Sequence, residues 1–504
     1  MRSAVNLRLP VSRLARVFYA SVILTSVSLV SIYHARPRVW AVQEVPVAFW
    51  AWRTQSPDEA DIQAAVEKAH AQVLFLRAGQ IDYHDGELRR IRPLPGSLPK
   101  GIKLHLVYNT TRAVLEQLES TDPHTLANEV AESFREDSER AKRDGADVRG
   151  LQLDIDFPTR LLSRYEQTLS AIRPHLQQST ELSITGLPTW MDSPALNGVL
   201  QNVDFWVPQF YGGEIPTQLS QLIPISSPES ITYFVNKARQ LDKPFYAGLA
   251  AYSVTLLYNA SGSLISLRGD MNPALIVSDP NLELIDQHSF AAAERRYAFQ
   301  AKADGVTDGL NMRAGDVLVV DLPSSETLRI ASRITRELAG KKLLGICVFR
   351  LPASDDPATL TIEQVTGALN DRHVYALVYV HLKHKPARTL VLECTNRGTA
   401  IPVLGTLKVD LHVPAGSFAE ATPQPGVWIQ PMCASESSNC PQPCSERRAN
   451  LVRLTAQFLA PGQTLTTTLK LNREPTPTTD VSVVMQTDTA HSYSRESEIW
   501  IEKQ

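Results

Sequence analysis

Cysteine is scarce, five in 504 residues, which excludes a scaffold held together by many disulfides. An excess of one charge is also missing. Fifty Lys and Arg against 53 Asp and Glu leave a formal net charge of -3. That argues against a globally basic surface for nucleic acid and against an acidic solvating tail. Glycine (24) is outnumbered by proline (33), which predicts many fixed turns. Apolar residues at 43% and charged residues at 20% are those of a soluble globular chain, not of a disordered, collagen-like or multi-span membrane protein. The chain exceeds one ordinary domain: roughly 150 residues per domain allows three, and a single α/β barrel takes about 250.

One long apolar run lies near the start. Arg2, Arg8, Arg13 and Arg16 precede the uncharged stretch Val17 to Tyr33. It is long for a signal-peptide core and short for a spanning helix. The basic flank predicts that the rest of the chain is exported, so the protein is expected in the periplasm, outside the cell or anchored in the inner membrane. Residues 1–44 are read either as a cleaved signal peptide, ending at a small residue such as Ala41, or as an uncleaved anchor.

From Val45 to about Pro352, strand-like runs alternate with helical patterns. The runs are Val45–Trp52, Gln72–Arg77, Lys103–Asn109, Gly150–Phe157, Glu181–Pro188, Val203–Tyr211, Pro244–Tyr252 and Leu343–Leu351. Helices are expected over Asp58–Ala71, His124–Asp144, Leu161–Leu176, Ser230–Leu241 and Ser324–Ala339. Eight such units predict an α/β (β/α)8 TIM barrel over residues 45–365. An open doubly wound sheet is the alternative, but no Gly-rich phosphate loop follows the first strand. About 70 residues separate Tyr252 from Ser324, far beyond a usual loop. They predict an α+β insertion over about 253–322, with strands at Val254–Tyr258, Ser263–Leu267 and Asp316–Asp321 and a helix at Ala291–Asp304. From His373 the period becomes two, and seven short runs predict an all-β sandwich over 373–504.

The segment Gly150-Leu-Gln-Leu-Asp-Ile-Asp-Phe-Pro158 carries the chemistry. On a strand Gln152, Asp154 and Asp156 share one face, and Leu151, Leu153 and Ile155 the other. The apolar face must meet the helices, so the polar face points into the barrel, with Asp156 nearest the carboxyl end where barrel enzymes keep their sites. Two inward carboxylates repel, so one should hold a proton near neutral pH and act as a general acid. The plainer alternative is a structural pair satisfied by Arg or backbone groups.

This segment resembles the fourth-strand signature of family-18 glycosidases, the chitinase-like barrels, which reads D-G-x-D-x-D-x-E followed by an aromatic residue and often Pro. The resemblance places Asp154 on the Asp that steadies the reacting sugar and Asp156 on the Glu that protonates the leaving oxygen, with Gln152 on the middle Asp. Val203-Asp-Phe-Trp-Val-Pro-Gln-Phe-Tyr-Gly212 is similar to the sixth strand, with Gln209 and Tyr211 at its M-x-Y positions. Lys243–Tyr252 resembles the seventh and Leu344–Phe349 the eighth. The resemblance spans about residues 45 to 352 and extends to an exported bacterial branch of such barrels. It implies cleavage of a glycosidic bond assisted by the substrate's own N-acetyl oxygen. Tyr211 would orient the substrate. No cofactor or metal is implied. The departures are specific: Asp156 is one methylene shorter than Glu, Gln152 replaces a proton-cycling Asp, Gly212 replaces an Asp, and Phe349 replaces a Trp.

Further polar and aromatic groups stand at strand ends and are candidate ligand contacts: Trp50, Trp52, Arg53, Arg77, Gln80, Tyr108, Asn109, Trp190, Asp192, Glu214, Tyr252 and Arg350. Flat aromatic faces stack on sugar rings, and Arg or Asn donates to hydroxyls. In an exported protein Cys394, Cys433, Cys440 and Cys444 are expected to form disulfides, and Cys347 to be a buried apolar side chain. Two functions stay open: a glycoside hydrolase-like enzyme acting on an envelope or extracellular glycan, and a non-catalytic barrel binding a glycan or a protein. The expected partner is a polysaccharide, not nucleic acid, with membrane contact only through the N-terminal anchor. Fusing residues 1–60 to a reporter active only after export should give signal; activity confined to the cytoplasm would refute the export reading.

Overall fold

The computed structural model describes residues 45–53, 57–289, 295–372, 376–398, 407–424, 426–435, 438–456, 458–474, 481–484 and 498–502. The expected leader, with Val17 to Tyr33, lies outside the described residues. Among the described residues no helix is long and apolar enough to cross a membrane.

Eight parallel strands close on themselves: β1 (Val47–Ala51), β2 (Ala71–His84), β3 (Lys103–Thr110), β4 (Asp147–Asp154), β5 (Glu181–Gly186), β6 (Phe205–Pro208), β7 (Phe245–Ala250) and β8 (Leu343–Phe349). Each pairs with the next, and β1 pairs with both β2 and β8. Alternation sorts their side chains. Ala48, Trp50, Val73, Phe75, Val107, Phe205, Val207 and Cys347 fill the barrel. Phe49, Leu74, Leu104, Leu106, Leu151, Leu153 and Ile184 join the larger core under the helices.

The helices packed around the barrel include α1 (Glu59–Ala69), α2 (Pro123–Arg143), α3 (Leu162–Ile172), α4 (Leu196–Gln201), α5 (Pro228–Gln240), α6 (Ser325–Leu338) and α7 (Ile362–Leu369), and single short helices lie at Arg112–Gln117 and, in the insertion, at Pro273–Ser278. Their starts are encoded locally. Asp58, Asp122, Ser227, Ser324 and Thr361 each accept a first-turn backbone N–H. The second connection departs from the eight expected βα units. There β2 runs on, turns at Asp85 and Gly86, both at positive φ, and returns as the antiparallel strand Glu87–Arg90. No helix follows before β3, because Pro93, Pro95 and Pro99 break the stretch. Arg90 pairs with the buried Asp137 of α2 and fixes the hairpin there.

The insertion between β7 and α6 is mostly a five-stranded antiparallel sheet, in the order Leu264–Arg268, Val254–Tyr258, Val317–Leu322, Arg295–Ala301, Leu282–Ser289. The expected helix over Ala291–Asp304 is instead a strand at Arg295–Ala301, hydrogen-bonded on both sides; residues 290–294 lie outside the described set. Its side chains alternate. Tyr297, Phe299 and Ala301 enter one core and Ala298 the other, while buried Arg296 forks onto Asp321 at 2.6 Å to each oxygen. Two-sided burial overrode the helical composition.

After β8 and α7 come two five-stranded sheets with their own core, including Val380, Leu392, Val409, Leu411, Leu454 and Leu469. Ten strands are described where seven were expected. Phe418–Thr422, Val427–Ser435 and Ser438–Pro443 were missed because proline and serine mask their alternation. Most pairings are antiparallel, but Val378–Lys385 and Glu498–Glu502 run parallel. Cys433 and Cys444 form a disulfide, and Cys394 and Cys347 are buried free thiols. The Cys440 side chain is outside the described set.

Gly150 is where β4 can least tolerate a side chain. A Cβ there would lie 2.4 Å from the Glu181 carbonyl oxygen and 2.6 Å from His105 Nδ1. Gly150→Ala should therefore cost about 1–3 kcal/mol by overpacking, read as a lower urea midpoint; an unchanged midpoint would contradict this packing.

Candidate functional site

A cavity of about 800 Å³ opens at the carboxyl ends of the barrel strands, within the usual size range of ligand sites. Strand alternation supplies its floor and walls. Asp154 ends β4 and Asp156 follows two residues later on the same face. Asn109 and Thr110 come from β3, Arg77 from β2, and Gln209 and Tyr211 from the segment after β6. Trp50 and Trp52 come from β1, Phe349 and Arg350 from β8, and Tyr252 from the segment after β7.

The aromatic groups form one connected wall. Phe349 meets Trp50 edge-on at 5.5 Å, Trp52 at 6.0 Å, Tyr252 at 5.0 Å and Tyr211 at 6.2 Å. The phenols face little water: burial lifts Tyr252 to about 12 and Tyr211 well above its ordinary range. The Phe349–Arg350 peptide is cis.

Asp154 accepts a 2.7 Å hydrogen bond from Thr185 Oγ1 of β5. Burial, reinforced by the charge of Asp156, pushes its carboxyl up to about 7, although the Thr185 bond and Arg77 oppose the rise. Asp156 stays open to the cleft's solvent, yet the protein around it also raises its carboxyl above the usual range. The expectation that one carboxyl of the pair holds a proton near neutral pH matches these directions, since both are raised. The deeper carboxyl is the more strongly shifted, and the proton belongs to the pair.

Gln152 lies one layer below, fully buried. Its Oε1 accepts from Trp50 Nε1 at 2.7 Å and its Nε2 donates to Ser183 Oγ at 3.3 Å. It supports the cleft floor without lining the cleft. Tyr108 and Trp190, expected as sugar contacts, do not reach the cleft. Tyr108 points outward, as its neighbour Asn109 points inward, and donates to Asp137 of α2 at 2.7 Å. Trp190 is buried behind the Asp156 segment. Its Nε1 donates to the Phe157 carbonyl at 2.9 Å and its ring meets Tyr165 at 5.8 Å. Tyr165 in turn stacks on Phe157 at 4.3 Å. Glu214 is exposed and outside the lining, and Asp192 pairs with Lys237 on the surface.

Several lining residues were not anticipated: Thr110, Leu115, Leu267, Gly269, Asp270, Asp355, Asp356 and Pro357. Asp356 holds Arg350 through two bonds, 2.8 and 3.0 Å, and Arg350 also donates to the Gly269 carbonyl at 2.9 Å. Asp355 pairs with Arg53. The sequence signal for this pair was Asp-Asp-Pro closely following a barrel strand, a turn at the functional rim. Asp270 lies in the insertion, where nothing in the sequence fixes its place. Among the described residues no cluster of three or more His, Cys, Asp or Glu is arranged to hold a metal ion.

A family model described as a domain of unknown function, DUF3142, matches residues 111–300. No curated protein matches the chain. Among solved structures, the spore cortex-lytic enzyme SleL of Bacillus cereus is 14% identical, with a TM-score of 0.42 over 65% of this chain and 74% of that one. A chitinase of Chromobacterium violaceum is 11% identical, with a TM-score of 0.42 over 65% and 98%. A class V chitinase of Pseudomonas fluorescens is 14% identical, with a TM-score of 0.42 over 65% and 99%. At this identity and overlap the likeness carries nothing about activity.

Proposed function

We propose that the barrel cleft binds a glycan chain and that the Asp154–Asp156 pair supplies the proton that cleaves one of its glycosidic bonds. The observation that carries this reading is the pair itself: two carboxyls raised by burial, at the carboxyl end of β4, in a large cleft walled by Trp52, Tyr211, Tyr252 and Phe349. Stacking on those rings would hold sugars over the pair. Asp156, the more open of the two, would protonate the leaving oxygen as general acid. Asp154, bonded to Thr185, would store the proton and then steady positive charge at the sugar as it ionises. Tyr211 would orient the substrate. The place of action we propose is outside the cytoplasm.

One observation favours the second reading, a barrel that only binds. Both ends of the Gln152 amide are occupied by Trp50 and Ser183, and an amide does not titrate as the family's Asp would, so Gln152 gives the pair no proton store beneath it.

The test is turnover of chromogenic β-linked N-acetylglucosamine and glucose oligomers, with glycan binding measured alongside. Asp156→Asn should lower turnover about 10²–10⁴-fold, and Asp156→Glu should retain or raise it. Wild-type rates in Asp156→Asn would remove the acid assignment. An inert wild type and inert Glu variant that still bind glycan would leave a binding barrel.

The pH dependence has a definite sign. The pair acts as acid only while it holds its proton, so turnover should be present below about 7 and fall as pH rises through that value, the position of Asp154. The same raised carboxyl makes folding bind a proton that the unfolded chain releases, so stability should also fall as pH rises from about 4 to 7. In Asp154→Asn that part of the decline should vanish. A parallel pH dependence in melts of both proteins would contradict the burial argument.

A further inference from the structure

We propose that the sugar chain this cleft takes is acidic, and that Arg77, aided by the charge of Arg92, is built to hold a carboxylate on it. The inference rests on the glycan reading and adds the ligand's charge.

The arginines around the cleft divide into two kinds. Arg53, Arg268 and Arg350 each have an aspartate of their own: Asp355, Asp270 and Asp356. Arg77 lines the same cavity without an ion pair to any described carboxylate. Its Nε is buried with no hydrogen-bond partner, and the side-chain bond it donates from Nη2 to Asn109 Oδ1 is long, 3.4 Å. Its guanidinium lies over the Trp52 ring at 4.8 Å, which fixes its plane. Thr110, 7% exposed, also belongs to the cleft lining, and its buried hydroxyl has no hydrogen-bond partner.

The neighbouring charge adds support to this geometry. Arg92 follows the hairpin strand, is exposed, and makes no ion pair with a described carboxylate. Burial holds the Arg77 guanidinium below its ordinary range, and the charge of Arg92 adds to the effect. Arg77 feels the like charge of Arg92 and, as a smaller opposing effect, the charge of Asp154. Each guanidinium presents a planar fork of donors that matches a carboxylate. A carboxylate also suits the surroundings better than a phosphate. The Asp154–Asp156 pair lies in the same cleft, and a single negative charge is repelled by it less than a double one.

The test uses the full chain and two matched ligand pairs: β-1,4-glucuronic acid tetramer against its methyl ester, and a tetramer alternating N-acetylglucosamine and N-acetylmuramic acid against its lactyl ester. Within each pair only the carboxylate charge differs. Calorimetry should give at least one acid binding about tenfold or more tighter than its ester, the size of a charge-assisted contact. Arg77→Gln should abolish the difference, Arg77→Lys keep part of it, and Arg92→Gln, on an exposed loop that tolerates change, reduce it several-fold. Equal binding of acid and ester, or a preference that survives Arg77→Gln in a folded protein, overturns this inference and leaves the glycan reading standing. If Arg77 served only as a counter-charge for Asp154, Arg77→Gln would move the pH profile and leave acid and ester undistinguished, which also overturns it. Failure of wild type to bind any of the four sinks both readings.

Discussion

A carboxylate turned into a closed barrel must give up most of its water, and at Asp154 that single cost organises the site. The strand period leaves no choice of direction: Leu151, Leu153 and Ile155 are needed against the helices, so Asp154 faces in. Burial then disfavours its charge, and Asp156 two residues on disfavours it again. Thr185 and Arg77 return part of the loss, one by a hydrogen bond and one by its charge. The balance leaves a carboxyl that titrates near neutrality, where proton transfer is most useful.

Asp156 lies past the end of β4, where no ladder fixes the backbone, and its position is set from behind. Phe157 stacks on Tyr165 of α3, and the Phe157 carbonyl takes the indole N–H of Trp190. Both contacts are made by residues that never see the cleft. Trp190 therefore acts on the site through the backbone that carries Asp156. This is a better use of a large side chain than sugar contact, since a displacement near one ångström is enough to spoil proton delivery.

The barrel was legible in the sequence because its signals are local and repeated: apolar runs, capping residues and a two-faced fourth strand. Even the orientation of the Asp pair followed from alternation alone. The same rule, applied to β3, would have separated Asn109 from Tyr108, since adjacent residues within a strand point to opposite faces until its end. Legibility ended where long-range contacts decide. The strand at Arg295–Ala301 has helix-like composition, and its state is set by neighbours on both sides. Trp190 and Trp52 are indistinguishable as residues near strand ends, and only packing tells a buried clamp from a cleft wall. The strand pattern shows that the two carboxyls are neighbours on one face but not how deeply each is buried, and depth sets the desolvation.

The rim opposite the Asp pair is built from segments remote in sequence, and its construction explains why the long insertion matters to the cleft. Arg350 leaves β8, passes over Tyr252 at 5.9 Å, and divides its donors between Asp356 and the Gly269 carbonyl of the insertion. A buried ion pair of this kind adds little net stability, since desolvation offsets much of the attraction. Its contribution is geometric. The guanidinium is a rigid plane, and satisfying it fixes the insertion and the loop after β8 relative to each other. Leu267, Gly269 and Asp270 can then serve as one wall of the cleft while Asp355 and Pro357 form the next. With Arg53, Arg268 and Arg350 each neutralised by an aspartate, Arg77 is the arginine of the cleft lining that has no ion-pair contact among the described residues, coupled to Asp154 only through its charge, and the electrostatic character a ligand meets is set by it and by the Asp pair.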